Sequence, residues 1–145
     1  IKSVNTVHSF NSAGTHSKST PCFTTLNNNV GSWIVDSGAT DHMTPFLDIL
    51  THKTISSNPI PIRLPDGTLK HVAIVGKAYI SLDLILQDVL FVPDFTHNLL
   101  SMSKLLKHVN LLVTLTTTSC LFQDLTTKTI VANAHEACGL YVLES

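Results

Sequence analysis

The sequence predicts an all-β domain with one short helix, its sheet rolled into a closed barrel. Three observations predict it. From Trp33 onward, apolar residues alternate with polar ones in short runs over most of the chain. An Asp-Gly turn signal, Asp66-Gly67, stands between two such runs. A single stretch, entered at Ser101, instead spaces its apolar residues as a helix does. Many short strands with one short helix must bury their apolar face mainly against one another.

Residues 1–31 stand apart. They are crowded with Ser, Thr, Asn and His, carry only Lys2 and Lys18 as charged side chains, and have no apolar period. Such a stretch buries too little to offset the entropy of ordering it, so it reads as a flexible linker or arm. A few of its residues can pair onto a sheet edge. Residues 32–145 read as the folded domain.

Trp33–Asp36 is the first strand and runs directly into Ser37-Gly38. Ile60, Ile62 and Leu64 alternate up to Pro65-Asp66-Gly67-Thr68, and Val72 and Ile74 resume the alternation beyond it. Gly67 turns the chain because it takes positive φ without steric cost. Ala78, Ile80, Leu82, Leu84 and Leu86 keep period two with a turn near Asp83, and Asp88–Val92 reads as a separate short strand closed by Pro93. Ser101 then caps a helix of two to three turns. Its core side is Leu105, Leu106 and Val109, with Met102 in phase, and Lys104 and Lys107 form its solvated face. Leu111–Leu115, Ser119–Gln123, Lys128–Ala132 and Leu140–Leu143 complete the strands, and the Thr-rich stretch at 114–118 is β-favouring.

Composition bounds the function. A length of 145 residues suits one domain, and 43% hydrophobic content with mean hydropathy +0.26 excludes wholesale disorder. No apolar run approaches the roughly 20 residues of a membrane-spanning helix. Nine Lys and Arg against ten Asp and Glu give a net charge of -1, with no general attraction for nucleic acid or anionic membrane, so neither is expected as a partner. Cys22, Cys120 and Cys138 are too few for a disulfide framework and show no CxxC spacing; Cys120 reads as a small buried hydrophobe in a reducing compartment. The opening residues lack the apolar h-region of a secretory signal, and the chain starts at Ile1, so it reads as a segment of a longer polyprotein.

The densest chemistry lies in Asp36-Ser37-Gly38-Ala39-Thr40-Asp41-His42. An aspartate directly after an apolar strand puts a carboxylate on a tight turn at the edge of a core. Ser37 can bond neighbouring backbone, and Gly38 admits a close backbone approach. A carboxylate so held suits general acid or base work when a partner tunes it. Taken alone, Asp-Ser-Gly also spells an ordinary Asx turn. Asp41 reads as a cleft residue or an exposed turn acid, His42 as a structural or surface histidine, and Trp33 as core. His135-Glu136-Ala137-Cys138 is an isolated His/Cys pair without a second pair, so no metal site is expected.

The Asp36–Met43 run resembles the active-site signature of the aspartic proteases of copia-type LTR retrotransposons, retropepsin relatives encoded in Gag-Pol polyproteins. Leu64–Thr68, Asp88–Pro93, Asn98–Leu105 and Gly139–Leu143 are similar to further blocks of that family in the same order, so the resemblance spans about residues 31 to 145. It implies one lobe of an acid protease that works as a two-fold homodimer. Asp36 would be the catalytic carboxylate and meet Asp36 of a second copy. Two carboxylates at such range cannot both ionise and would share a proton. The ionised one would take a proton from the attacking water while the other polarises the scissile carbonyl.

In the same comparison Ser37 would bond across the two-fold axis, and Gly38, Ala39, Thr40 and Asp41 would complete the active-site loop against an extended peptide. Leu64, Pro65, Asp66, Gly67 and Thr68 would form the flap, with a tip less Gly-rich than in many retropepsins. Asn98, Leu99, Leu100 and Ser101 resemble the segment that threads beneath the active-site loop, with Ser101 where viral relatives carry Gly. Leu140–Leu143 would be the C-terminal strand of a dimer-spanning sheet. The implied substrate is the element's own Gag-Pol polyprotein and the implied setting the cytoplasm, within virus-like particles. No metal, nucleotide or organic cofactor is implied. Two other readings stand beside this one. A silent or domesticated copy would serve as a dimerisation or peptide-binding module. A spacer before integrase would lend His135 and Cys138 to a zinc site completed downstream.

Overall fold

The computed structural model describes Lys2–Ser3 and Val30–Glu144. The rest of the 1–31 arm, Cys22 included, lies outside the described residues. In chain order the strands are β1 (Lys2–Ser3), β2 (Ser32–Asp36), β3 (Met43–Thr44), β4 (Thr51–Arg63), β5 (Leu69–Tyr79), β6 (Ile85–Phe91) and β7 (Asn98–Ser101). After helix α1 (Met102–His108) come β8 (Leu111–Leu115), β9 (Ser119–Asp124), β10 (Ile130–Ala137) and β11 (Leu140–Glu144). All belong to one sheet of 11 strands in the order β1-β4-β5-β6-β3-β7-β2-β11-β10-β9-β8. No helix among the described residues is long and apolar enough to cross a membrane.

β2 is apolar without alternation because both of its faces are covered. Trp33 and Val35 enter one core cluster, while Ile34 enters a second. β7 divides in the same way, Leu100 facing the first cluster and Leu99 the second. The first cluster gathers Ala78, Ile80, Leu84 and Leu86 from β5, β6 and their connection with Cys120, Phe122 and Ala134 from β9 and β10. Strands far apart in the sheet order therefore share one core, and the sheet is strongly curled. Ser81 Oγ donates to the Val131 carbonyl at 3.1 Å across this gap.

The closed barrel expected from the sequence is not formed among the described residues: the sheet is open, with β1 at one end and β8 at the other. Apolar burial is non-directional, so the two halves can share a core without a hydrogen-bond ladder between the end strands. The interface role expected of Leu140–Leu143 is also corrected. β11 pairs with β10 on one side and with β2 on the other, Tyr141 standing opposite Val35 and Leu143 opposite Trp33. Both of its hydrogen-bonding edges are used inside the chain, and a strand so enclosed cannot add to a sheet between two copies.

Several boundaries differ from the sequence reading. β4 starts at Thr51 although Thr51–Asn58 has no apolar alternation and its Ile55 is 80% exposed. Backbone pairing with β5 holds this stretch, with the register shifting between Ile55 and Ile60. Asp88–Val92 is no separate strand: Asp88–Phe91 is the second half of β6, which passes Asp88 at φ 51. Of the helix residues expected in the core, Leu105 is buried and Leu106 is 43% exposed. Cys120 is free and buried, as read.

The Asp66-Gly67 hairpin forms as expected between β4 and β5. Gly67 N donates to Leu64 O at 2.9 Å, and Leu64 N donates to Thr68 O at 2.8 Å. With Gly67 at φ 87, this is a type I turn closed by a glycine bulge. Gly76 in β5 has a different reason to be glycine: a Cβ there would lie 2.9 Å from Thr51 O and 3.1 Å from Leu50 Cβ. Gly76→Ala should therefore destabilise the fold by about 1–3 kcal/mol in urea unfolding, because backbone rather than a flexible side chain must move. An unchanged midpoint would contradict this close approach.

Candidate active site

β7 lies between the two legs of the Asp36 loop. It runs parallel to β2, with Ser101 opposite Asp36, and antiparallel to β3, with Leu99 opposite Met43. The loop from Ser37 to His42 thus arches over the end of β7, where the chain turns into α1. Asn98 ties the legs together from the side: its Nδ2 donates to the Val30 and Ser32 carbonyls at 2.8 Å each, and its Oδ1 accepts from Thr44 Oγ1 at 2.6 Å. Asn98, Leu99, Leu100 and Ser101 are all buried. The structure places the end of this segment against the loop, Ser101 bonding to Ala39 and His42.

Asp36 ends β2 with its carboxylate turned back over the loop. Oδ1 accepts from Gly38 N at 2.7 Å and from Ala39 N at 3.2 Å. Oδ2 is buried and has no hydrogen-bond partner among the described residues. A buried acceptor left unpaired costs free energy of desolvation and calls for an explanation. Ser37 beside it is exposed, while Ala39 is buried. The Ala39 carbonyl accepts from Ser101 Oγ at 2.6 Å and is 3.3 Å from Ser103 Oγ.

Asp41 is not an exposed turn acid. Its Oδ1 is 3.0 Å from Lys104 Nζ, with the two side chains 2% and 12% exposed, and Thr40 Oγ1 donates to Oδ2 at 3.1 Å. Lys104 also donates to the Asp88 carbonyl at 2.8 Å, so it joins α1 to the loop and to β6 instead of facing solvent as its helical position suggested. Lys107 is exposed, as expected. Asp41 is the other acid on this loop, and Lys104 neutralises it. Asp36 alone keeps an unpaired carboxylate oxygen there.

His42 is a structural histidine. It is buried, and the Ser101 amide donates to its Nδ1 at 3.0 Å, which puts the ring proton of the neutral form on Nε2. Burial, then the nearby Lys104 charge, lower its pKa to about 3; Asp41 opposes that shift and His108 adds slightly to it. The unfolded chain therefore binds a proton below pH 6.5 that the folded chain refuses until about pH 3. Stability should fall through that window as pH drops, by up to about 1.4 kcal/mol per unit from this group. His42→Asn keeps an acceptor for Ser101 without titrating. Urea unfolding from pH 7 to 4 should show the parent losing stability relative to that variant. Parallel profiles would contradict the assignment.

The residues expected to form the flap, Leu64 to Thr68, connect β4 and β5. Pro65, Asp66, Gly67 and Thr68 are exposed, and Leu64 is half-buried against the second apolar cluster, which also holds Ile34 and Ile62. Asp66 Oδ1 accepts from Thr68 N at 2.8 Å, and Arg63 Nη1 donates to Gly67 O at 3.0 Å. The Thr68 amide bond draws the Asp66 pKa down. No described hydrogen bond joins residues 64–68 to residues 36–42.

His135 lies within β10, opposite Val142 of β11, and Cys138 lies in the turn between the two strands. Cys138 and Gly139 take φ 56 and 83 between β10 and β11, and Gly139 N donates to Glu136 Oε1 at 2.6 Å. Positive φ at both central residues is the two-residue hairpin geometry. Among the described residues no three His, Cys, Asp or Glu side chains gather to hold a metal ion. The residues missed by sequence reasoning are Ser103 and Lys104. Their signal is the pair of hydroxyls and the amine in Ser101-Met102-Ser103-Lys104, which point back into the loop from the first turn of α1.

A carboxylate with one oxygen held by two backbone amides and the other buried and unpaired can share or exchange a proton with a group brought to it. No curated protein and no solved structure matches the chain. Residues 33–110 match the family described as Pol polyprotein, beta-barrel domain, a match that begins in β2, takes in the Asp36 loop, the β4–β5 hairpin, β7 and α1, and leaves β8 to β11 beyond it. With more than half of its length in that match, this chain belongs to the Pol polyprotein beta-barrel domain family and is a region of a retrotransposon or retroviral Pol polyprotein.

Proposed function

We propose that the chain is an aspartic endopeptidase that cleaves its own Gag-Pol polyprotein, with a water activated between Asp36 and the Asp36 of a second copy. The observation that carries this reading is the Asp36 carboxylate: Oδ1 is fixed by two amides, and Oδ2 is buried without a partner. A second carboxylate sharing a proton would satisfy that oxygen once the groups that cover it in the single chain move aside. Asp41 cannot serve, because Lys104 holds it. With Oδ1 anchored, the charge and its lone pairs are oriented before substrate arrives, which is how a general base gains its effect. The ionised member of the pair takes a proton from water; the protonated member donates to the scissile carbonyl. Since β11 is enclosed, the contact between copies must form around the exposed Ser37 and the flap tips instead of through a terminal sheet.

Purified chain should cleave peptides spanning Gag-Pol junctions, be blocked by a statine-type inhibitor, and lose specific activity on dilution as sedimentation shows dimer giving way to monomer. A fully active monomer would overturn a site made from two chains. The enclosure of β11 favours one second reading, a catalytically silent peptide-binding module. That reading predicts a monomer at every concentration that binds junction peptides and cleaves none.

A further inference from the structure

We propose that Ser101 is a positioning residue for Asp36, acting through Ala39. The proposal rests on the protease reading for its kinetic consequence, though not for its geometry. Ser101 is fully buried and reaches the loop at two places. Its hydroxyl donates to Ala39 O at 2.6 Å, and its amide donates to His42 Nδ1 at 3.0 Å. Ala39 is the residue whose own amide donates to Asp36 Oδ1. The chain of contacts runs from the end of β7 through one residue of the loop to the carboxylate.

The helix cap does not account for this arrangement. As N-cap, the Ser101 hydroxyl accepts from Lys104 N at 3.1 Å, and that bond uses an oxygen lone pair. Its single proton is left over, and it goes to the loop. The bond to Ala39 O is short for two neutral groups and buried, so water cannot replace it. Ser103 Oγ stands farther away, at 3.3 Å. Ala39 has no side-chain handle of its own, so its carbonyl is where the loop can be gripped. The Ala39–Asp36 bond at 3.2 Å is the longer of the two that hold Oδ1, hence the one most sensitive to a small shift.

Ser101→Ala deletes the grip, together with the cap bond from Lys104 N, and keeps the packing. Two readouts separate positioning from stability. Amide hydrogen exchange at Ala39 should rise about tenfold relative to the parent, the loss of roughly one hydrogen bond, while Ile34 and Leu99 stay within about twofold. For enzyme counted by active-site titration, kcat should fall about tenfold with KM within about twofold, because a loosened carboxylate loses orientation and not substrate contact. Unmoved exchange at Ala39, or an equal rise at Ile34 and Leu99, overturns the proposal. So does an unchanged kcat per titrated site. Should the parent cleave no peptide, the protease reading falls and the exchange measurement alone decides the role of Ser101. Should Ser101→Ala fail to fold, Ser101→Cys, close in size and a weaker donor, is expected to show the same local rise, and exchange equal to the parent overturns the proposal.

Discussion

Asp36→Asn is expected to reduce peptide cleavage to background, a loss of at least about a thousandfold, while leaving the chain folded. The substitution is nearly isosteric. Asn keeps an oxygen that can accept from Gly38 N and Ala39 N, so the loop retains its two anchoring bonds. What it removes is the charge and the proton-accepting oxygen at the Oδ2 position, where no described group offers a bond. The thermal midpoint should stand at or above that of the parent, because a buried carboxylate oxygen without a partner is held at the expense of stability. The pairing of outcomes is what tests the site. Cleavage that survives the substitution rules out Asp36 as the base. Loss of both folding and cleavage would make Asp36 a structural residue and leave the catalytic assignment without support.

Lys104→Met should carry the largest stability cost of any single surface-to-core change near the site, about 3–5 kcal/mol in urea unfolding. The physical reason is the state of Asp41. Its side chain is 2% exposed, and Lys104 is its cationic partner at 3.0 Å. Removing the amine strands a buried negative charge and frees the Asp88 carbonyl, which Lys104 also serves. The double variant Asp41→Asn with Lys104→Met should recover much of the loss, since neither charge is then left alone. Additive losses in the double-mutant cycle would mean that the two side chains do not interact in solution. Because the pair pins the loop at Asp41, five residues beyond Asp36, the single variant should also lower activity per folded molecule.

The legible parts of this molecule are those set by neighbours along the chain. Asp66-Gly67 makes its turn through a backbone freedom that belongs to glycine, Ser101 caps a helix through its own hydroxyl, and Trp33–Asp36 delivers a carboxylate to the end of an apolar strand. Each involves residues a few positions apart. Lys104 shows where that ends. Helical periodicity assigns it to a solvated face, but periodicity describes one helix, and the acid that captures Lys104 is 63 residues away. His42 is a related case: the sequence leaves it a structural or surface histidine, and only burial against Ser101 makes it a neutral acceptor.

Strand order is the deepest gap between the two levels. The apolar run Leu140–Leu143 marks a strand in the core, and it is silent about which strands lie at its edges, because backbone N–H and C=O groups are the same in every residue. That choice falls to long-range packing, which set β11 between β2 and β10 and put β1 and β8 at the two ends of the sheet among the described residues. The all-β class, the flap-like hairpin and the lone Asp36 follow from local chemistry. The open sheet, the enclosed last strand and the buried pair that silences Asp41 follow from contacts between distant residues, whose energies no short window of sequence contains.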